Sequence, residues 1–303
     1  MTADAERNAR DGVIAALIAY TIWGFLPVYF LFTKVVSPEE MLAHRIVWSV
    51  PFGALIIAMR AQWKEVGRAL RTPSTVGWLA VSALVIALNW LIYIYAVQQA
   101  QIFQASLGYY INPLLYVLVG VVFFKEQLRG LQLVAVVLAT LGVLVLTLSG
   151  GEFPIIALVL AVSFTIYGVV RKRVVIGGMP GLFIETLLLF PIALLALGHL
   201  MHTSAAVFGT AGAGLTVLIL ASGPLTVLPL LCFALAARRL NLSTIGFLQF
   251  IGPTLQFAVG VASGEELSLP RLVCFALIWL AVGMFCADSL RARSRRTVPG
   301  KRG

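Results

Sequence analysis

The chain has 303 residues, of which 60% are hydrophobic and only 11% charged, with a formal net charge of +10. A soluble domain carries roughly 25% charged residues, so this composition excludes a water-soluble globular fold. Cys232, Cys274 and Cys286 show no metal-ligand spacing and read as packing residues.

Taken in order, the apolar runs predict spans at 13–32, 41–59, 78–97, 105–124, 130–148, 153–170, 181–200, 214–235, 244–262 and 271–288. Each is near the ~20 residues that cross about 30 Å of hydrocarbon. Backbone groups in lipid need internal partners, so these spans are helices; the alternating polarity of a β-barrel is not visible. The first is too long for the apolar core of a signal peptide and lacks a small-x-small cleavage pattern. The expected fold is an all-α polytopic membrane protein of ten helices.

Residues 40–128 overlay residues 180–268 at an offset of 140: Pro51 falls on Pro191, Pro113 on Pro253, and Glu126 on Glu266. Thr21-Ile22-Trp23-Gly24 falls on Thr165-Ile166-Tyr167-Gly168 at an offset of 144. Five spans per copy is an odd number, so the second copy enters the membrane upside down, the pattern of inverted-repeat transporters. The expected organisation is an N-terminal tail (1–12), a first repeat (13–148), a second repeat (153–288) and a basic C-terminal tail (289–303).

Lys and Arg set the orientation. With both termini cytoplasmic, only Lys34 and Arg271 fall outside, and Arg45 lies within a span. The net charge then reflects topology and anionic lipid head groups, not nucleic acid.

Two ionisable residues stand clear of the span ends, Arg45 and Glu185, and they are repeat-equivalent. Intramembrane charges mark substrate paths, gates or proton relays. Arg45 is expected near the outer mouth and Glu185 near the inner one, roughly 15 Å apart along the normal. The structural alternative is that both snorkel to the nearer interface.

Tyr109, Pro113 and Tyr116 share one helix face, and Gln249, Pro253 and Gln256 repeat it. Mid-helix prolines free backbone carbonyls, which lipid tolerates only beside protein or a water-filled cavity. The two faces therefore read as kinked walls of one cavity, with helix curvature alone as the alternative. Asn112 precedes Pro113; Asn89 and Tyr93 lie one turn apart with Trp90 beside them; Tyr20 and Trp23 sit near mid-depth. Together they point to an amphiphilic organic substrate that can stack, not a bare ion. No cofactor or metal is expected: His199 and His202 have no accompanying carboxylate. Phosphate-loop, H-E-x-x-H and G-x-S-x-G motifs are absent, which leaves an enzyme nothing to work with.

Several strings carry a resemblance: Ala19-Tyr20-Thr21-Ile22-Trp23-Gly24, His44-Arg45-Ile46-Val47-Trp48-Ser49, Asn89-Trp90-Leu91 and Ser106-Leu107-Gly108-Tyr109-Tyr110-Ile111-Asn112-Pro113. The second half adds Ile184-Glu185-Thr186, Pro229-Leu230-Leu231-Cys232-Phe233 and Gln249-Phe250-Ile251-Gly252-Pro253-Thr254. Over roughly residues 12–290 the chain resembles the drug/metabolite transporter superfamily, EamA type, in its RarD-like branch. The resemblance implies two EamA repeats, a bacterial inner-membrane location and export of small organic molecules. The expected function is alternating-access transport, with proton coupling through Glu185 as a hypothesis. The alternatives are an uncoupled facilitator and a receptor or scaffold without a transport cycle.

Overall fold

The computed structural model describes residues 3–124, 130–150, 153–237, 239–240, 244–245 and 248–297, and their regular secondary structure is entirely helical. In chain order the helices are α1 (Ala3–Phe32), α2 (Pro38–Met59), α3 (Trp63–Leu70), α4 (Pro73–Gln98), α5 (Ile102–Phe124) and α6 (Gly130–Gly150). They continue as α7 (Ile155–Arg173), α8 (Gly178–His202), α9 (Ala213–Ala237), α10 (Ile251–Ala262) and α11 (Leu269–Thr297).

Six helical stretches are each long and apolar enough to cross a membrane: Arg7–Phe32, Pro38–Met59, Pro73–Gln98, Gly130–Ser149, Gly178–His202 and Ala213–Ala236. Shorter apolar helices accompany them at Ile155–Arg171, Ile251–Ala262 and Leu269–Met284. Large apolar side chains such as Phe25, Leu55, Leu84, Leu195 and Leu280 are exposed around the outside. Water would penalise such a surface and lipid does not. The chain is a multi-pass membrane protein.

Some helices, α2 and α4 among them, begin earlier than the apolar runs do. Ser37 caps α2 by accepting the Glu40 N–H at 3.2 Å, with Pro38 and two acidic residues in the first turn. Pro73 starts α4 five residues ahead of its expected span. The amphipathic helix α3 is not among the expected elements; Val66 and Ala69 are buried beneath it, and Lys64 and Arg68 face outward.

One expected span differs in kind. Thr244, Ile245 and Leu248 are helical, but Gln249 and Phe250 form a turn, and α10 begins only at Ile251. Pro253 therefore sits in the first turn of α10, where a missing N–H costs nothing. The expected mid-helix kink at Pro253 is instead a helix restart, with the Gln249 carbonyl accepting the Gly252 N–H at 3.3 Å. Pro113 lies within α5, but its side chain and that of Tyr116 fall outside the described residues.

Lipid tails supply no hydrophobic drive between helices, so close approach depends on small residues. α1 packs on α9 and α10, α2 on α8 and α9, α4 on α7 and α8, α5 on α7 and α10, and α6 on α11. Glycines permit several of these contacts. A Cβ on Gly24 would stand 2.6 Å from Leu255, and one on Gly108 would stand 2.7 Å from the Ala157 carbonyl.

Connections alternate between two ends of the bundle. One end carries α3 and the 174–177 connection, joined where the Gly177 N–H donates to Glu65 Oε1 at 2.7 Å. The far end carries 33–37, 99–101, 203–212 and 263–268. There Gln98 Nε2 donates to the Val36 carbonyl at 3.0 Å. Glu265 accepts the Ile102 and Phe103 N–H groups at the start of α5.

Candidate functional site

Arg45 lies two turns into α2 from the far end, about 10 Å deep at 1.5 Å per residue. It does not snorkel: it is 5% exposed. Its Nε donates to Thr226 Oγ1 of α9 at 2.7 Å. Its Cζ lies 4.4 Å from the ring centroid of Trp90 and 5.9 Å from that of Phe30. The phenols of Tyr29, Tyr93 and Tyr109 stand within electrostatic reach of it. Among the described residues no carboxylate pairs with Arg45.

Glu185 lies two turns into α8 from the α3 end and is 1% exposed. Its carboxylate gathers three neighbours from two other helices. Ser82 Oγ of α4 donates to Oε1 at 2.5 Å, Tyr167 of α7 donates to Oε2 at 3.3 Å, and Arg171 Nη1 of α7 stands 3.6 Å from Oε1. The two charges thus sit in clusters at opposite ends, Glu185 compensated by a guanidinium and Arg45, among the described residues, by no carboxylate.

Between them lies a polar node. Asn89, fully buried, donates through Nδ2 to the Leu160 carbonyl at 3.0 Å and to Ser163 Oγ at 2.9 Å. It accepts from the Tyr109 hydroxyl at 3.3 Å. Tyr93 packs against Tyr109 at 5.7 Å between ring centroids, and its buried hydroxyl has no hydrogen-bond partner among the described residues. Asn112 forms a separate contact, its Oδ1 accepting from Thr165 Oγ1 at 2.7 Å.

The remaining candidates form a second patch. Tyr20, Trp23 and Phe233 pack edge to face or tilted, with centroids 5.6–6.3 Å apart. Gln256 Nε2 donates to the Trp23 carbonyl at 3.1 Å, and its buried Oε1 has no partner among the described residues. Trp23 borders both the apolar cluster of this patch and the one that holds Tyr93 and packs against Tyr109. Gln249 is half-buried at the helix restart. Arg45, Asn89, Tyr93 and Tyr109 are therefore brought together, as are Tyr20, Trp23 and Gln256, and Asn112 stands apart.

Sequence reasoning missed several partners. Ser82, Tyr167 and Thr226 are ordinary hydroxyls on apolar helices, and Arg171 stands at the end of α7, where a basic residue also serves orientation. Glu40 is the clearest omission. Its carboxylate is fully buried and accepts the Val207 N–H at 2.9 and 3.0 Å and the Phe208 N–H at 2.9 Å. It thereby pins the 203–212 connection onto α2. His44 Nε2 stands 3.7 Å from the same carboxylate, and its ring lies 4.6 Å from Phe208. The spacing Ser37-Pro38-Glu39-Glu40 holds the signal of a helix start, but the carboxylate turns away to the 203–212 connection.

Residues 10–148 match the sequence pattern of the EamA-like transporter family. The chain is 42% identical over 291 residues to "Protein RarD" of Salmonella typhi, covering 96% of this chain and 99% of that one. It is likewise 42% identical to an "Uncharacterized transporter" of Vibrio cholerae, over 96% of this chain and 97% of that protein. A solved crystal structure shares the fold with a TM-score of 0.59 at 20% identity, covering 90% of this chain and 96% of that one.

Proposed function

Because the chain belongs to the EamA-like transporter family, in its RarD-like branch, we propose that this membrane transporter moves small organic molecules by alternating access. The observation that carries this reading is the pair of buried, unlike charges at repeat-equivalent positions, Arg45 and Glu185, held toward opposite ends of one bundle. Charges so far inside apolar helices mark paths and gates.

In this reading ten spans form two inverted repeats, residues 13–148 and 153–288. The helix pairing supports the inversion. Exchanging α1 with α7, α2 with α8, α4 with α9, α5 with α10 and α6 with α11 turns each major packing pair into another, or into itself. The α3 end carries most of the connecting Lys and Arg, so it faces the cytoplasm of a bacterial inner membrane together with both termini. Asn89, Tyr93 and Tyr109 line the path beside Arg45, and Tyr20, Trp23, Gln249 and Gln256 line its second wall. The Glu40 contact with the 203–212 connection closes the outer end, and the Glu185–Arg171–Ser82 cluster closes the inner one.

Proton coupling acts through Glu185, whose protonation would release Arg171. A substrate is first found by screening purified protein for ligand-induced thermal stabilisation. In proteoliposomes a pH gradient then drives its flux, and Glu185→Gln abolishes that drive. Unchanged gradient-driven flux in Glu185→Gln sinks the coupling. The full set of partners around Glu185 favours one second reading, an uncoupled facilitator in which the cluster is only a strut. That reading predicts downhill flux with no response to the pH gradient in either protein.

A further inference from the structure

Arg45 and Glu185 answer to each other across the repeat, but their surroundings do not. Glu185 has a guanidinium 3.6 Å away and two hydroxyl donors. Arg45 has one hydroxyl acceptor, Thr226, and aromatic faces. A guanidinium cannot shed its proton in a protein, so burial leaves a full positive charge. Stacking on Trp90 offsets only part of that burden, and an unpaired buried ion is strongly destabilising. Of the guanidinium donors, only Nε meets a protein acceptor among the described residues. The Tyr93 hydroxyl, which lies within electrostatic reach, also lacks a hydrogen-bond partner among the described residues.

We propose that the Arg45 guanidinium, with the Tyr93 hydroxyl and the Trp90 ring beside it, binds the anionic head of the substrate, a carboxylate carried on an apolar or aromatic body. This rests on the transport reading above and names its substrate class. One guanidinium balances one negative charge, and its planar fork of N–H groups fits a carboxylate through two parallel bonds. The Tyr93 hydroxyl supplies a further donor. Trp90, Phe30 and Tyr109 provide apolar and aromatic surface for the body, which excludes a small inorganic anion as the best fit. The arrangement also gives the cycle a role for the charge: a bound anion supplies the counter-ion that Glu185 already has in Arg171.

The test uses purified full-length protein and four probes of similar shape: phenylacetate, phenyl phosphate, phenylacetamide and phenethylamine. Binding is read by tryptophan fluorescence and by thermal stabilisation. The anions are expected to bind about tenfold or more tighter than the amide, the range of a charge-assisted hydrogen bond. Their mutual order separates carboxylate from phosphoester. Arg45→Gln is expected to erase the preference, and Arg45→Lys to restore part of it. Equal binding of the amide, stronger binding of the amine, no binding of either anion, or an unchanged preference in Arg45→Gln overturns the assignment. If Arg45→Gln does not yield folded protein, the wild-type ranking decides alone. Accessibility of position 109 from the two membrane sides tests transport without reference to ligand charge. A failed anion preference with intact two-sided access therefore removes only the substrate class.

Discussion

Arg171 Nη1 lies 3.6 Å from Glu185 Oε1, and the Arg171 guanidinium fills the space where a side chain on Gly181 would stand. Gly181 is one turn before Glu185 on α8, so the missing Cβ is what lets the two charges meet. Gly181→Ala should push the guanidinium out and leave Glu185 with its hydroxyl donors alone. We expect Gly181→Ala and Glu185→Gln to be non-additive in apparent thermal stability, with a coupling of about 0.5–3 kcal/mol. Simple additivity would show that the glycine does not serve the ion pair.

Glu40 and Phe208 are 168 residues apart, yet the carboxylate of one holds the backbone of the other. Glu40→Gln removes the charge from that contact and replaces one acceptor oxygen with a donor. Faster amide hydrogen exchange at Val207 and Phe208 is expected, corresponding to a loss of about 1–3 kcal/mol of local stability. Unaltered protection there would mean that the 203–212 connection is held by the packing of Phe208 on His44 alone.

Gly223 of α9 lies directly under the Trp48 carbonyl of α2, a backbone group that cannot swing away. Gly223→Ala should force the helices apart and lower stability by about 1–3 kcal/mol. It should also disturb Thr226, one turn on, and with it the Arg45 contact. Gly198, exposed on α8 with nothing within 4 Å of an added Cβ, is the control. Gly198→Ala is expected to be neutral or slightly stabilising.

Glu265 lies outside the spans, in the 263–268 connection. Burial raises its carboxyl above the ordinary value of 4.5, opposed by the Phe103 and Ile102 N–H groups and by Arg271. A raised folded-state value means that the fold favours the protonated form. This contribution is full below the unfolded value and is lost as pH rises through the folded one. The stability advantage of wild type over Glu265→Gln should therefore shrink as pH rises from about 4 to 7. Melting curves across that range check it, and a growing advantage would reverse the sign.

Much of the fold is legible in the sequence because lipid imposes one demand, length and apolarity, that single residues report directly. Helix ends are less legible: Ser37, Pro38 and Pro73 extend α2 and α4 through polar residues that an apolar window discards. α3 escaped notice because eight residues with a narrow buried face leave little periodicity. Pro253 misled because its effect depends on where the helix starts, which the restart at Ile251 decides. At the site, the charges Arg45 and Glu185 and the node Asn89, Tyr93 and Tyr109 stand out as costly or polar groups in apolar surroundings. Their partners do not. Thr226, Ser82 and Arg171 reach them from other helices, and only the packing of α2 on α9, and of α8 against α4 and α7, shows the pairing.

Alternating access requires the Tyr109 region to be a passage reached in turn from both sides. The direct measurement places a single cysteine at Tyr109, in a chain with Cys232, Cys274 and Cys286 replaced by alanine. Membrane-impermeant maleimides are then applied to each face of oriented vesicles. Labelling from both sides is expected, with the ratio shifted by a bound ligand or an imposed gradient. Labelling from one side only, unmoved by either, would contradict it.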